Sequence, residues 1–354
     1  MTKKSTIYEV AHRSGVSTAT VSRVMGNGSG ASEATRKRVL ASARHLGWVP
    51  NGTARSLAVQ RTGIVGLLFP ELGSSADSES ESPLFVDQVI RGAERAATLA
   101  GNAVLIAATH SAAGRELAWS LASKVDGLVI LAGSLSDPEL ARISRSVPVV
   151  ALATPSARQK LDCVDADNRD GAQQITRHLL DVHGYRDLAF IAGPEHSPDS
   201  DERFAGYRQA LEDAGLTAPD VPDAHGGFTG AGGEQAMREL LDSRDSPPRA
   251  VVVGNDQMAI AALSVLRSRR LRVPANVAVT GFDDISAAQH LRPALTTVRQ
   301  PMREIGEAAV RMVLDRLADP ESTRRSLVLP TQVVARRSCG CRPAPATRAR
   351  RTTS

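Results

Sequence analysis

Acidic and amide side chains stand directly behind two short apolar runs: Asn255 and Asp256 in "AVVVGNDQMA", Asp283 and Asp284 in "VAVTGFDD". Arg203 stands where the pattern "ERFAGY" starts a helix. Carboxylate, carboxamide and guanidinium groups that converge hold hydroxyls by paired hydrogen bonds, the chemistry of gripping a small polar molecule such as a sugar. The same side chains have plainer uses. Asn255 and Asp283 suit helix or turn capping. Arg203 suits an ion pair with Asp199 or Glu202.

No catalytic pattern is complete. "GAGGEQ", Gly230–Gln235, lacks the third glycine of a dinucleotide fingerprint, and no good strand precedes it. Neither GxSxG nor a Walker A motif occurs. Asp165 and Asp167 lie beside Asn168 at an expected helix start, where capping explains them. Cys339 and Cys341 flank one glycine without a neighbouring His or further Cys, an incomplete metal set. With Cys163 they make no disulfide framework. The expectation is no enzyme, no cofactor and no metal.

A second chemistry sits near the N-terminus. In "GVSTATVSRVMGN", Gly15–Asn27, a helix at 100° per residue puts Thr20, Val21, Val24 and Met25 on one face. Thr18, Ala19, Ser22 and Arg23 fill the other. Three small residues let a backbone approach a surface closely. Hydroxyls and methyls can meet bases or phosphates in a DNA major groove, and Arg suits guanine. Charge agrees: residues 1–60 carry nine Lys or Arg against two Glu, and 336–354 six Arg and no acid, leaving the rest net acidic by eight. A basic head on an acidic body suits a polyanion bound by the head.

The elements that must position these groups follow from periodicity. Thr6 and Glu9 make a capping box, Gly15 ends that helix, Ser17 caps the next, and Ser32 caps a third, which ends at Gly47. Two capped helices separated by a tight turn have helix-turn-helix geometry, the second helix reading the groove. From Thr62, apolar runs ("GIVGLLF", "AVLIAA", "GLVILA", "VPVVALA", "DLAFIAG", "RAVVVG", "VAVTGF") alternate with helical stretches at 85–100, 168–183, 203–214, 256–268 and 302–317. Continuous apolar strands between helices predict parallel sheets covered on both faces, split into two lobes. The fold expected is a small all-α head plus an α/β two-lobe core. Its divisions are a helix-turn-helix domain (1–50), a hinge (51–61), a core (62–335; lobes 62–160 and 165–290, with 294–335 crossing back) and a basic, disordered tail (336–354). Glu71–Ser82 reads as a Ser- and acid-rich loop. No run of about 18 apolar residues occurs and no secretion signal opens the chain, so a cytoplasmic protein without a membrane partner is expected.

"STIYEVAHRSGVSTATVSRVMGN" resembles the N-terminal signature of the lac repressor (LacI/GalR) family of bacterial transcription regulators. "GWVPNGTARSLA" resembles that family's hinge, and the body its periplasmic-binding-protein-like core. The resemblance implies a homodimer on a near-palindromic DNA operator, regulated by a small effector, most often a sugar, and most often as a repressor. It assigns base reading to Thr18, Ala19 and Arg23, and phosphate contact or orientation to Tyr8, Ser17, Thr20 and Ser22. Ala54 and Leu57 would enter the minor groove, with Leu57 as a wedge. Gly26 stands where the family often has Asn, and Asn27 is the substitute. Gly52 weakens the hinge helix by about 1 kcal/mol relative to Ala, so the hinge is expected to fold only on DNA. Arg203, Asn255 and Asp283 match effector-gripping positions, Phe228 an aromatic that stacks on the effector, and Phe69 and Phe85 cleft walls. The other reading the lobes permit is a solute-binding protein without DNA function.

Overall fold

The computed structural model describes residues 5–26, 30–48, 61–70, 86–109, 114–154 and 160–342. Asn27, Phe85, the segment 71–82 expected as a loop and most of the expected hinge, Ala54 and Leu57 included, lie outside them. The chain divides into two compact units, Met1–Ile64 with Lys124–Asp126, and the remainder.

The first unit carries α1 (Ile7–Ser14), α2 (Thr18–Met25) and α3 (Glu33–His45). Thr6 and Glu9 form the expected capping box, and Gly15 closes α1 at φ 65°, a left-handed position open to glycine without strain. Ser17 and Ser32 cap α2 and α3. Val10, Ala11, Val21, Val24, Val39 and Ala43 meet in the core. It is thin, so the caps contribute a large share of the head's stability.

The second unit continues in chain order with β1 (Ile64–Pro70), α4 (Val86–Leu99), β2 (Ala103–Thr109), α5 (Gly114–Ala122), β3 (Gly127–Leu131), α6 (Asp137–Ile143), β4 (Val149–Leu152), β5 (Asp162–Ala166) and α7 (Asn168–Arg177). A π-helical turn, His178–Val182, extends α7. Then come β6 (Leu188–Ala192), α8 (Pro198–Asp213), β7 (Ala224–His225), α9 (Gly230–Asp242), β8 (Ala250–Val253), α10 (Asp256–Ser268), β9 (Ala278–Thr280), β10 (Thr297–Arg299), α11 (Met302–Ala318), β11 (Ser326–Leu329) and β12 (Gln332–Val334). The first lobe's sheet runs β11-β5-β4-β3-β1-β2 and the second lobe's β7-β6-β8-β9. The pairings are parallel, as continuous apolar strands require.

The return crossing is seen. β10 leaves the second lobe, α11 packs on α4, and β11 joins β5 in the first sheet. β12 then runs back antiparallel to β10.

Four details depart from the sequence reading. β5 was hidden by its aspartates, and it extends the first lobe past 160 to Ala166. Asp162 is satisfied there by Arg316 of α11, with Nη2 2.9 Å from Oδ2, and by the Arg325 amide. α8 begins at Pro198, a favoured first-turn proline, so Arg203 sits inside the helix and not at its start. Phe69 belongs to the first lobe's apolar core and is not a cleft wall; its neighbour Pro70 takes that place. The chain from 336 to 342 is no loose tail: Ser338 Oγ donates to Val279 O at 2.6 Å, and Cys339 is buried beside His178. Residues 343–354 lie outside the described residues.

Candidate functional site

On α2 the packing face is the one expected: Val21 and Val24 are buried and Met25 half-buried. Ala19, Ser22 and Arg23 are exposed and Thr18 is half-buried. Ser17 Oγ accepts the Thr20 amide at 3.2 Å and lies 3.0 Å from Thr20 Oγ1, so these hydroxyls fix the helix start. Tyr8 on α1 is 74% exposed, an aromatic that the head core does not use.

The second unit encloses a cleft of about 360 Å³ between its lobes. Arg203, Phe228, Asn255 and Asp283 all line it, joined by Asp165, Asn168, Asp199 and Gln300. The first lobe contributes an apolar wall of Val89, Leu131, Leu152, Val164 and Ile305. The second lobe contributes most of the polar wall, with Asp165 added from β5 of the first lobe. Among the described lining residues three carboxyls face one guanidinium, so the cleft disfavours anions.

Arg203 is held rigidly. Its Nε donates to Asn168 Oδ1 at 2.8 Å and its Nη1 to Gly254 O at 2.6 Å. Phe282 lies under the guanidinium at 4.0 Å and Phe228 at 5.3 Å. Of the two acids weighed as alternative partners for Arg203, Asp199 Oδ1 accepts from Asn168 and Glu202 pairs with Arg169. Asn255 has the capping role its position suggested and also lies at the cleft. It caps α10 through the Met258 amide at 2.9 Å, donates to Phe228 O at 3.1 Å, and still lines the cleft. Asp167 caps α7 as expected, whereas Asp165 ends β5 and faces the cleft.

The Asp283–Asp284 pair ties the cleft to the crossing strands. Both residues have positive φ, 116° and 60°, a conformation that costs about 1–3 kcal/mol and persists where its surroundings over-determine it. Asp283 Oδ1 accepts from Gln300 Nε2 at 2.5 Å, just past the end of β10. Asp284 accepts from Arg299 of β10 at 2.7 Å and from Arg336 after β12. Burial pushes the Asp283 carboxyl up to about 6, against the pull of Arg203 3.8 Å away and the Gln300 hydrogen bond. Behind it, burial and the neighbouring Asp283 raise Asp256 well above the usual carboxylate range. Asp256 accepts from Thr297 Oγ1 and the Ile285 amide.

Residues 6–51 match the model for bacterial regulatory proteins of the lacI family, and residues 176–339 that for a periplasmic binding protein-like domain. The HTH-type transcriptional regulator CelR of Thermobifida fusca is 36% identical over 341 residues, 95% of this chain and 98% of that protein. The chain belongs to the lacI family of bacterial regulatory proteins. It is a DNA-binding transcriptional regulator, and its relatives are regulators, not enzymes. A solved complex of the regulator CelR with cellobiose matches 95% of this chain and all of that one, at TM-score 0.71 and 34% identity. A lac repressor dimer bound to operator and the anti-inducer ONPF matches 95% of this chain and 99% of that one, at TM-score 0.80 and 27% identity. Among the described residues no helix is long and apolar enough to cross a membrane.

The sequence did not single out Asn168, Gln300 or Phe282. Asn168 was visible only as a helix-start residue. Gln300 and Phe282 carry no local signal, because their roles depend on partners distant in sequence, Asp283 for Gln300 and Arg203 for Phe282.

Proposed function

We propose that this regulator is a cytoplasmic repressor whose operator affinity is set by a neutral polyhydroxylated ligand, a sugar, held in the cleft. One observation carries the reading: the cleft sets an apolar wall against an acidic, hydrogen-bonding wall built round a fixed guanidinium. A sugar ring has the matching two-sidedness, with C–H faces and a hydroxyl edge. The excess of carboxyls disfavours phosphorylated ligands. The sugar held in the CelR complex supports the class.

On the DNA side, Arg23, Thr18 and Ala19 are the proposed base readers, the Ala19 methyl meeting a thymine methyl. Tyr8, Ser17, Thr20 and Ser22 are the proposed phosphate contacts, and Ala54, Leu57 and Asn27 complete the set by position. The working unit is a homodimer. β2 is an edge strand whose Leu105 and Ile106 are exposed, beside Leu117 of α5, an apolar edge that a second copy would cover. The helix-turn-helix head argues against a purely solute-binding role.

Asp283 supplies the coupling. A ligand that recruits its carboxylate pulls on Gln300 at the crossing, while Asp284 holds Arg299 of β10 and Arg336 just after β12. A thermal-shift panel of neutral mono- and disaccharides against their phosphates tests the ligand class. A neutral sugar at 100 times its Kd stabilises by about 2.7 kcal/mol. Asp283→Asn loses that shift and keeps operator binding. A panel in which only phosphorylated compounds shift the protein sinks the reading.

A further inference from the structure

The chain end after β12 rests against a group of soft ligands that the cleft does not use. Cys339 and Cys341 meet His178 and His183 across 158 to 163 residues of sequence. His178 Nε2 lies 3.5 Å from Cys339 Sγ and 3.4 Å from Cys341 Sγ, and His183 Nε2 lies 3.4 Å from Cys341 Sγ. All four ligand atoms fall within 4.8 Å of one another. We propose that these four residues form a closed tetrahedral Cys2His2 site for a divalent ion of the zinc class, which clamps the end of the chain to the second lobe.

The distances fit a coordination polyhedron. With metal–sulfur bonds of about 2.3 Å and metal–nitrogen bonds of about 2.0–2.1 Å, tetrahedral angles put sulfur and nitrogen about 3.5–3.6 Å apart. A hydrogen bond accounts for one such separation. Two sulfurs converge on His178 Nε2 and two imidazole nitrogens on Cys341 Sγ, an arrangement that one shared ion satisfies at every contact, whereas a single proton or lone pair on His178 Nε2 would have to be split between two sulfurs. Two thiolates and two imidazoles select zinc-like ions over magnesium or calcium. Four protein ligands leave no open position, so the site is structural and not catalytic.

The backbone is arranged for convergence. In a regular α-helix residues five apart diverge by about 140°. The π turn His178–Val182 has an i→i+5 register, which brings His183 round towards His178; such turns are rare and frequent at functional sites. Gly340 has φ 111°, and a Cβ there would stand 3.1 Å from Tyr185 Oη and 3.3 Å from the His183 ring. Glycine therefore lets both flanking thiols turn to the same imidazole, that of His178.

Outer partners hold the ligands, as metal sites require. Thr296 Oγ1 donates to Cys339 Sγ at 3.0 Å while accepting the Arg336 amide, so its proton is aimed at the sulfur. Tyr185 stacks on His183, donates to Cys339 O at 3.0 Å and accepts from Arg249 Nη2 at 3.0 Å.

The test uses the full chain purified in reductant without chelator. About one zinc per chain is expected by elemental analysis. Replacement by Co2+ is expected to give the ligand-field bands of four-coordinate cobalt together with a thiolate charge-transfer band. His183→Asn and Cys341→Ser should each weaken Zn2+ binding at least tenfold, since losing even a supporting partner costs about 10- to 100-fold. A six-coordinate cobalt spectrum, a spectrum without the thiolate band, or undiminished Zn2+ affinity in both variants overturns the proposal. The cobalt spectrum of the unaltered chain decides the matter if the variants do not fold.

Discussion

Asp283 is a cleft-lining carboxyl that is buried, beside a guanidinium, and bonded to Gln300 just past β10. Burial raises it to about 6, so its charge changes near neutral pH. The ionised form offers two acceptor oxygens to hydroxyls and the protonated form offers fewer. Effector affinity is therefore expected to fall as pH drops through 6; calorimetric titration of the unaltered protein between pH 5 and 8 reads this. Stability moves the other way. Between the ordinary carboxylate value and about 6 the native chain binds more protons at this site than the unfolded one, so this residue's contribution falls as pH rises. An affinity that stays level through pH 6 in the unaltered protein removes Asp283 from the ligand's hydrogen-bond set. At this scale the sequence was readable wherever a polar residue follows a strand. Arg203, Asn255 and Asp283 all reach the cleft. Phe69 misled because an aromatic beside a strand end carries no sign of which face it takes. The Cys339–Cys341 pair looked incomplete because its partners are brought by topology, not by spacing.

Among the elements, β5 was least visible and is strongly anchored. Its "DCVDA" has neither alternation nor a continuous apolar run, so period-based reading passes over it. It stays a strand because Arg316 grips Asp162 through Nε and Nη2 and also reaches Thr323 O, while the Arg325 amide donates to the same carboxylate. One buried ion pair thus fastens β5 to α11 and to the approach to β11, the elements of the return crossing. Removing one member strands the other, a loss of about 3–5 kcal/mol for a buried pair. Asp162→Ala is expected to lower the unfolding free energy by that amount, read as a lower urea midpoint with the m-value unchanged. A loss under about 1 kcal/mol would mean that Arg316 re-pairs with solvent and that α11 is held by its apolar face against α4 alone. The apolar strands and capped helices were legible because each carries its own local signal. The start of α8 was not, because a proline at the first turn reads equally well as a stop.

At the scale of the whole molecule, the proposed reading and regulation depend on two copies. Each head buries a small core and presents one short helix, and each half-site alone gives modest affinity; joining two heads makes the second contact effectively intramolecular. The ligand and operator must then influence each other equally, since coupling between two binding equilibria is reciprocal. The apolar edge at β2 is where this unity is most exposed to a single change. Leu105 and Ile106 neighbour each other on a strand, so they face opposite sides of the sheet edge, and both remain accessible. Ile106→Lys places a charge in the proposed contact, where an unpaired buried cation is costly, yet in a monomer it sits harmlessly in water. The variant is expected to sediment as a monomer, to keep its effector shift because the cleft lies within one chain, and to lose at least tenfold in operator affinity. A variant that remains dimeric and binds operator normally would move the interface away from β2, and with it the idea that the first lobes join the two readers.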